Sequence, residues 1–366
     1  MSKGNSNYLN TIDWYIIKKI IATFVVAIVL IVVVIVVFDL SSKLDDFLER
    51  QAPMKAIIFN YYLNFIPYMV NMFGHLFFFI AVVYVTSKMT QRSEIVAILS
   101  SGIAFKRLLR PFIISSIVVS IFGLYLGNFL IPQANVKRHV FEQQYYRNKF
   151  TNELLNIHIQ TSDSTQVYVH HFDNNTNSGF MFTKEIFHKE SVKDKIYADM
   201  ISYDSINNCW KMSNYFVRHI NGNQESLTRG YDSIVDINGL LPDDFNHILN
   251  IELLNFNQLN KAIEREKIKG TSFVRDLQVE RYQRLFNPLA YIILTIIGVS
   301  LSCKKTRGGT GLNLALGIAL AFSLILIIKI FNVMATNGTL HPILSALIPL
   351  LIYTLIAVLL LHHTPK

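Results

Sequence analysis

A set of polar side chains recurs at helical spacing inside an otherwise apolar stretch of the chain. Asn60, Asn64, Asn71 and His75 follow one another at i, i+4, i+11 and i+15, which places them on one side of a helix together with Pro67. Polar groups in an apolar environment turn toward other helices or toward a wet cavity. The spacing therefore leaves two interpretations open, hydrogen bonding between helices and the lining of a lumen. For His75 alone, packing is favoured over a proton relay.

Charged residues in or near the apolar stretches could bind anions. Lys329 lies inside the apolar run 312–335. A charged side chain in a membrane span is energetically costly, so such a residue is a candidate for a functional role. It could attract a lipid phosphate, pair with Asp39 at the end of the first apolar run, or extend its ammonium group to the membrane surface. Further candidates lie at the boundaries of apolar runs, where they could bind anionic head groups or anchor the chain at the interface: Arg138, Arg147, Arg281 and Arg284.

A short amphipathic segment, QRSEIVAILSSGI at residues 91–103, could bind a partner protein. It predicts a helix that begins at Ser93 and ends just before Gly102. Glu94 would be exposed in the first turn, where the helix dipole stabilises negative charge. The apolar side chains fall on one face: Ile95, Ile98 and Leu99. Two interpretations stay open, an interfacial helix that stabilises a tight turn and a helix seated in a groove of a cytoplasmic motor protein.

The sequence contains no motif for nucleotide hydrolysis or metal binding. Its glycine-rich run GGTGL at residues 308–312 lacks the lysine of a P-loop and follows an apolar stretch rather than a strand. Zinc-hydrolase and nucleophile-elbow motifs are absent as well. Cys209 and Cys303 lie in different parts of the chain and give neither a disulfide framework nor a metal site. We therefore expect no catalytic residue, no metal and no directly bound cofactor, so that any energy from ATP comes through a partner.

Six apolar runs, each long enough to cross a membrane, position these residues. Hydrophobic residues make up 51% of the 366 residues and charged residues only 16%, which is too apolar for an average soluble protein. About 20 apolar residues cross the hydrocarbon core of a bilayer. The predicted spans are residues 20–38, 56–86, 103–131, 285–302, 312–335 and 342–361. The first run is longer than the core of a signal peptide and a charged stretch follows it, so we expect it to be retained.

The distribution of positive charge indicates the orientation in the membrane. The net charge is +9, but residues 133–271 carry 15 Lys/Arg and 17 Asp/Glu, so the positive excess lies in the membrane part. Basic residues cluster before the first span and in the second-to-third and fourth-to-fifth loops, and basic loops face the cytoplasm. Both termini are therefore predicted to be cytoplasmic and the central domain to lie outside. The charge indicates topology and no binding of nucleic acid.

The central segment is predicted to be a β domain. Residues 166–171, 195–203 and 210–220 alternate like half-buried strands, with turn-forming clusters between them. Short strands at about ten-residue spacing suggest a small sandwich or jelly roll. The predicted fold is a membrane α-helical bundle of six transmembrane helices with an inserted all-β jelly-roll domain outside. The predicted parts are spans one to three with the amphipathic helix (1–132), the jelly roll (133–256), a helical connector (257–284) and spans four to six (285–366).

Four segments together resemble one known family. QRSEIVAILSSGI (91–103) is similar to the coupling helix of the LptF/LptG lipopolysaccharide-export permeases, and RLFNPLA (284–290) is similar to the residues that enter their fourth span. The glycine-rich loop followed by GLNLALG (311–317) and the segment GTLHP (338–342) before the last span match as well. With the order of three spans, a domain and three spans, the resemblance covers nearly the whole chain.

The resemblance implies a permease subunit, not an enzyme, in an ATP-driven lipopolysaccharide extractor of a Gram-negative inner membrane. Such permeases pair with a second permease of the family and bind a cytoplasmic ABC ATPase dimer that uses the ATP. Lipopolysaccharide leaves the outer leaflet of the inner membrane and passes along the periplasmic jelly roll to a bridge protein of similar jelly rolls that leads to the outer membrane. The coupling segment resembles the LptG type slightly more than LptF, which does not separate the two.

The resemblance also implies roles for individual residues. The ATPase would contact the coupling segment near 91–102: Arg92, Ser93, Glu94, Ile95, Leu99 and Gly102. Near Asp39 and Lys43 the family tends to place lysines that meet lipid A phosphates, and an aspartate at such a position departs from that pattern. The lipid-binding candidates are Asp39, Lys43, Asn64, Asn71, His75, Arg138, Arg147, Arg284 and Lys329.

Two other classes of function compete with this interpretation. One is a non-transport membrane scaffold or receptor whose outer β domain binds a ligand, although the short cytoplasmic segments argue against signalling. The other is a secondary transporter, which the large outer domain and the few paired acidic residues in the spans disfavour. The proteins that co-purify with the chain would discriminate among the three classes.

Overall fold

The protein consists of two compact units. The computed structural model describes residues 11–145, 154–162, 164–173, 176–188, 191–205, 207–221, 224–237, 240–245, 251–269, 273–303, 309–362 and 364. The helical unit comprises Met1–Asn148, Glu252–Phe256 and Gln278–Lys366. The sheet unit comprises Lys149–Ile251 and Asn257–Leu277. The chain thus runs from the helical unit into the sheet unit, contributes residues 252–256 to the helical unit, and returns to the helical unit at residue 278.

Helices in chain order are α1 (Thr11–Glu49), α2 (Met54–Gln91), α3 (Glu94–Ser100), α4 (Phe105–Tyr145), α5 (Pro242–Phe245), α6 (Phe256–Lys269), α7 (Val274–Phe286), α8 (Leu289–Ser302), α9 (Gly309–Thr336) and α10 (Pro342–His362). Strands are β1 (Leu154–Ser162), β2 (Thr165–Asp173), β3 (Ser178–His188), β4 (Ser191–Asp204), β5 (Cys209–Asn221) and β6 (Gln224–Val235). A 3-10 turn at Ile251–Leu253 precedes α6.

Among these helices, α1, α2, α4, α9 and α10 are each long and apolar enough to cross a membrane. Helices α7 and α8 reach that length only together, and they are bent by 48° at the break between them. Pro288 occupies the break, and proline ends a helix because it lacks the backbone N–H and its ring clashes with the preceding turn. A multi-pass membrane protein is therefore confirmed, and the predicted count of six is reached if the bent pair is one span.

Helix α2 contains a π-helical segment at Ile57–Tyr62, and α4 contains another at Leu126–Leu130. A π segment inserts an extra residue into a turn and rotates the residues on either side of it relative to each other. The polar residues of α2 therefore do not all lie on one face of the helix, as regular helical spacing had predicted. Asn60, inside the π segment, is exposed, whereas the residues after it are partly buried: Asn64, Asn71 and His75.

The third span continues beyond its predicted end. Helix α4 runs to Tyr145, so residues 133–145, which the sequence assigned to the β domain, are helical and belong to the helical unit. This stretch is polar overall, so its composition does not indicate the continuation of a membrane helix. Its buried side is formed by Ala134, Asn135 and Phe141. The predicted connector 257–284 contains α6 and most of α7, and it is divided between the two units at residue 277.

Helix α2 is at the centre of the helical unit. One buried cluster joins it to α1, α3, α4 and α8 and includes Ile20, Phe78, Ile95, Phe112 and Val299. A second cluster joins it to α8, α9 and α10 and includes Phe79, Leu294, Leu324 and Tyr353. Gly298 of α8 permits the close approach, because a Cβ there would lie 2.9 Å from Phe79 Cε2.

The strands of the sheet unit form one six-stranded antiparallel sheet in which each strand pairs with the next along the chain. Val169 faces Phe182, and Phe182 faces Ala198, so buried side chains form rows across one side of the sheet. A central β domain is therefore confirmed. The jelly roll is not confirmed, because the described strands form a consecutive meander, whereas a jelly roll pairs strands that are distant in sequence. Strand spacing alone does not specify the partner of each strand.

The apolar side of the sheet is covered by the chain that follows β6. Phe245 of α5 stacks on Phe172 with 4.9 Å between ring centroids and lies 5.3 Å from the ring of Trp210. Trp210 Nε1 donates a hydrogen bond to the Leu240 carbonyl at 2.8 Å. Ile237 and Leu240 are buried in the same cluster. The sheet unit thus has its own core, closed by residues of the same chain.

Candidate functional site

The amphipathic segment folds as the short helix α3 between the long helices α2 and α4. Ser93 precedes it with φ +60°, and its side chain makes no capping hydrogen bond. Gly102 follows it with φ +87°, and its backbone N–H donates to the Leu99 carbonyl at 3.1 Å. Glycine suits this position because it has no Cβ to clash at positive φ. Tight turns therefore fix α3 at both ends.

The apolar face of α3 packs onto the protein itself. Ile95 is 1% exposed and shares a cluster with Met89 and Phe105. Ile98 and Leu99 pack against the same cluster and are partly buried. The Ile95 side chain attaches α3 to the membrane helices, whereas Leu99 keeps part of its surface exposed, and a partner contact at these two residues stays a prediction. Helical spacing identified the apolar face but not what covers it.

The opposite face of α3 is the one open to a partner. Val96 is 54% exposed at its centre, and short or polar exposed residues surround it. We call this surface the docking face: Arg92, Ser93, Val96, Ala97 and Ser100. It combines one apolar side chain with small neighbours, so a groove of another protein can approach the backbone of α3 closely.

Glu94 joins the docking face to α1. Its Oε2 lies 3.5 Å from Lys19 Nζ and accepts a hydrogen bond from Tyr15 Oη at 3.3 Å. Its Oε1 lies 4.0 Å from a guanidinium nitrogen of Arg92. The Glu94 side chain remains 27% exposed, so a partner can still reach it. Glu94 therefore connects α3 to α1 through side-chain contacts.

A second contact ties the ends of α1 and α4 together beside α3. Arg107 donates two hydrogen bonds to Asp13, from Nη1 to Oδ1 and from Nη2 to Oδ2, both at 2.7 Å. The Asp13 side chain is only 3% exposed, and that of Arg107 is 31% exposed. A two-pronged contact of this kind fixes both position and angle. We call it the α1–α4 clamp, and no local pattern in the sequence predicts it.

Asp39 and Lys43, at the far end of α1, are engaged with each other and with tyrosines of α2. Lys43 Nζ lies 2.8 Å from Asp39 Oδ1 and also hydrogen bonds with Tyr61 Oη. Tyr61 donates to Asp39 Oδ2 at 3.0 Å, and Tyr62 lies 3.4 Å from the same oxygen. The π segment of α2 directs both tyrosines toward α1. The suggested pairing of Asp39 with Lys329 is therefore not formed, since the partner of Asp39 is Lys43.

Arg138 and Arg284 are also paired with carboxylates of the helical unit. Arg138 lies 3.3 Å from Glu142 and 3.5 Å from Glu252, and its guanidinium group lies over the ring of Tyr68. Arg284 contacts Glu280 at 2.6 Å and donates to the Leu254 carbonyl at 2.6 Å. Both arginines thus hold the short stretch 252–254 against the membrane helices. Arg147 lies outside the described residues.

The polar residues in the middle of α2 lie mainly in helix contacts. Asn64 donates to the carbonyls of Phe59 and Asn60, both at 2.9 Å, next to the π segment. The Asn71 amide lies beside Gly123 and Gly127 of α4. The His75 ring meets the Tyr291 ring edge-on at 6.3 Å, and its buried Nε2 has no hydrogen-bond partner among the described residues. Of the two interpretations left open, the contacts of Asn71 and His75 favour packing between helices.

Lys329 differs from these cations. It lies on α9 seven residues before the end at Thr336, and it is exposed. In the part of the chain that the structure describes, its ammonium group makes no hydrogen bond and no ion pair. The same ranges contain no cluster of three or more His, Cys, Asp or Glu residues that could hold a metal ion.

The described residues thus combine apolar helices long enough to cross a membrane with a short helix, α3, that has one buried and one exposed face. A family model, described as the lipopolysaccharide export system permease LptF/LptG, matches residues 14–363. The chain belongs to the LptF/LptG permease family. Because the match spans nearly the whole chain, it covers residues of both units and the α3 segment of this permease. No curated protein sequence matches the chain.

Family membership establishes the general kind of function. This permease is a transport subunit of a lipopolysaccharide export system and a multi-pass membrane protein, and its family is not one of catalytic enzymes. The resemblance predicted from residues 91–103, 284–290, 311–317 and 338–342 is therefore confirmed. The roles of individual residues remain predictions, to which the geometry adds the docking face and the α1–α4 clamp.

Proposed function

We propose that this permease is one subunit of an ATP-driven lipopolysaccharide extractor. It would act with a second permease of the family and a cytoplasmic ABC ATPase dimer, and it would move lipopolysaccharide from the outer leaflet of the inner membrane to a periplasmic β-domain bridge leading to the outer membrane. The family match over residues 14–363 is the observation that carries the proposal. The absence of a P-loop from the sequence supports ATP hydrolysis on a partner.

In this proposal both termini and α3 lie in the cytoplasm, and the sheet unit lies in the periplasm. The basic loops support this orientation, because positive residues are retained on the cytoplasmic side. Alternation of the spans then places the C-terminal ends of α1, α4 and α9 on the periplasmic side of the helical unit. Asp39, Lys43, Arg138 and Arg284 belong to that side.

Helix α3 is the element through which the ATPase would move the membrane helices. Ile95 seats it in the cluster shared by α1, α2 and α4, and Glu94 connects it to Lys19 and Tyr15 of α1. The clamp between Asp13 and Arg107 makes the cytoplasmic ends of α1 and α4 move together. A displacement of α3 would therefore reach both long helices without a flexible link between them.

A tryptophan on the docking face is expected to separate the permease from its ATPase. Ala97→Trp places a bulky ring where a groove must approach α3, and it leaves Ile95 and Glu94 untouched. We expect co-purification of the ATPase in mild detergent to fall at least about tenfold, equivalent to about 1.4 kcal/mol. Quantitative pull-down from membranes that contain equal amounts of wild-type and variant permease measures the effect.

Ala104→Trp is the matched control. Ala104 is also exposed, but it lies beyond Gly102 in the turn before α4 and outside the docking face. This variant is expected to retain wild-type association. Undiminished association of the Ala97→Trp variant would exclude α3 as the ATPase contact, and equal loss in both variants would show that the effect is not specific to the docking face.

A further inference from the structure

A groove of about 480 Å³ lies on the side of the sheet that faces away from its apolar core. This volume is within the range of roughly 300–1,000 Å³ that is usual for ligand sites. Successive residues of a strand point to opposite sides of a sheet. Val167 and Val169 of β2 are buried in the core, so Tyr168 between them points into the groove. The lining comes from β1 to β4: His158, Gln166, Tyr168, Thr183, Glu185 and Lys195.

Aromatic side chains form a row across this outer side of the sheet. Tyr168 lies opposite His158 on one neighbouring strand and opposite Thr183 on the other. The row continues with Tyr197, which lies opposite Thr183, and with Phe216, which lies opposite Tyr197. Ring centroids are 4.6 Å apart for His158 and Tyr168 and 5.0 Å apart for Tyr197 and Phe216. All four rings keep part of their surface exposed, so the aromatic row offers ring surfaces to a ligand from β1 to β5.

Hydrogen-bonding side chains lie beside the aromatic row. Gln166 is exposed and lies opposite Glu185, which lies opposite Lys195 on the next strand. Lys195 Nζ is 2.7 Å from Glu185 Oε1, so the two charges compensate each other. The Lys195 and Glu185 side chains remain 39% and 27% exposed. The groove can therefore donate and accept hydrogen bonds without presenting a net charge from this pair.

This combination restricts the chemistry of a ligand. An apolar chain would leave the polar side chains without partners, and an anion would meet the Glu185 carboxylate beside the Lys195 ammonium. A peptide strand binds to backbone groups at the edge of a sheet, whereas the groove crosses strands whose backbone groups are already paired with each other. A saccharide fits both features, because its ring has C–H faces that pack on aromatic rings and hydroxyl groups that form hydrogen bonds.

We propose that the groove binds uncharged sugar units of the exported glycolipid. Their ring faces pack on the aromatic row around Tyr168, and their hydroxyl groups form hydrogen bonds with Gln166 and with the Glu185–Lys195 pair. The sheet unit then has two different sides, an apolar one that forms its core and a polar one that holds sugar. This inference rests on the proposed function for the source of the sugar and specifies a contact within it.

Binding of a lipid-free oligosaccharide to the full-length permease tests the assignment. The probe is the core oligosaccharide released from lipopolysaccharide by mild acid, before and after removal of its phosphates. The permease is held in lipid nanodiscs, because glycoside detergents would compete for the groove, and a ligand-observed NMR titration measures affinity. Wild type should bind both forms equally. Tyr168→Ala should weaken binding at least about tenfold through loss of ring surface, and Gln166→Ala about threefold through loss of one hydrogen bond.

Tyr231→Ala is the matched control, because Tyr231 is 84% exposed on β6 and does not line the groove. It should leave the affinity unchanged. Gln166 is exposed, so its replacement keeps the test valid if Tyr168→Ala impairs folding.

Three results would overturn the saccharide site: no binding by wild type, equal affinities of wild type and both groove variants, or binding that is lost with the phosphates, which would indicate an anion site. The titration contains neither ATP nor a partner protein. Intact oligosaccharide binding in a permease that supports no ATP-driven transfer would therefore count against the proposed function and not against the groove.

Discussion

Replacement of Asp13 by asparagine is expected to lower the stability of the helical unit by about 2 kcal/mol. The change removes the negative charge and one of the two oxygen acceptors that Arg107 contacts, and hydrogen bonds to charged groups contribute about 1.5–3 kcal/mol. The expected value is at the lower end of the usual range because the Arg107 side chain is 31% exposed. Thermal unfolding of the purified protein in detergent, followed by intrinsic fluorescence, measures the effect as a lower midpoint.

Two comparisons make this prediction specific. Arg92→Ala removes the Arg92–Glu94 contact at 4.0 Å, in which the arginine is 59% exposed, and it should cost less than about 1 kcal/mol. The double variant Asp13→Leu with Arg107→Met should recover much of the loss, because an apolar pair leaves no buried charge without a partner. If Asp13→Asn were as mild as Arg92→Ala, the clamp would not be a stabilising element.

Gly74→Ala is expected to destabilise the contact between α2 and α8 by about 2 kcal/mol, which is within the range for an overpacked core. A Cβ at Gly74 would overlap with Tyr291 Oη, so the tyrosine ring would have to move. Tyr291 also contacts His75 and Phe78, and its displacement would disturb the cluster around them. The unfolding midpoint in detergent again provides the measurement.

The collision involves one atom, which allows a rescue experiment. The next atom of the ring, Tyr291 Cζ, lies 3.4 Å from the position of the added Cβ, an ordinary contact distance. Tyr291→Phe should therefore restore most of the stability of Gly74→Ala. Gly311→Ala is the control, because a Cβ there meets nothing within 4 Å, and it should be neutral or slightly stabilising. A stable Gly74→Ala single variant would show that the helices are less closely packed than described.

Local patterns in the sequence predicted the elements but not their partners. Apolar length identified the membrane helices, and alternation identified strands between residues 166 and 220. The meander was not predictable, because alternation shows which side chains are buried and not which strand lies next. The end of α4 at Tyr145 was missed because residues 131–145 are polar overall and bury only one side.

In the candidate site, too, the sequence predicts features that depend on neighbouring residues but not contacts between residues that are distant along the chain. Gly102 was predicted correctly at the end of α3 because its role depends only on local backbone geometry. The burial of Ile95 depends on Met89 and Phe105, which the spacing of α3 does not reveal. The clamp joins residues 94 positions apart, and no local signal connects them. The Asp13–Arg107 pair therefore becomes visible only in the three-dimensional structure.

The paired cations on the proposed periplasmic side could have been found from the sequence. The three closest pairs are each spaced i, i+4, which favours an ion pair on a helix: Asp39 with Lys43, Arg138 with Glu142, and Glu280 with Arg284. The spacing alone therefore predicts these three ion pairs.

Reconstituted transport tests whether this permease moves lipopolysaccharide with energy from ATP. Proteoliposomes that contain lipopolysaccharide, this permease and the second permease and ATPase that co-purify with it are incubated with a soluble periplasmic acceptor carrying a photo-crosslinker. We expect lipopolysaccharide to become crosslinked to the acceptor over time only when ATP is present, and we expect Ala97→Trp to abolish the transfer. Transfer at the same rate with and without ATP, or no transfer by the complete assembly, would show that this permease is not part of an ATP-driven extractor.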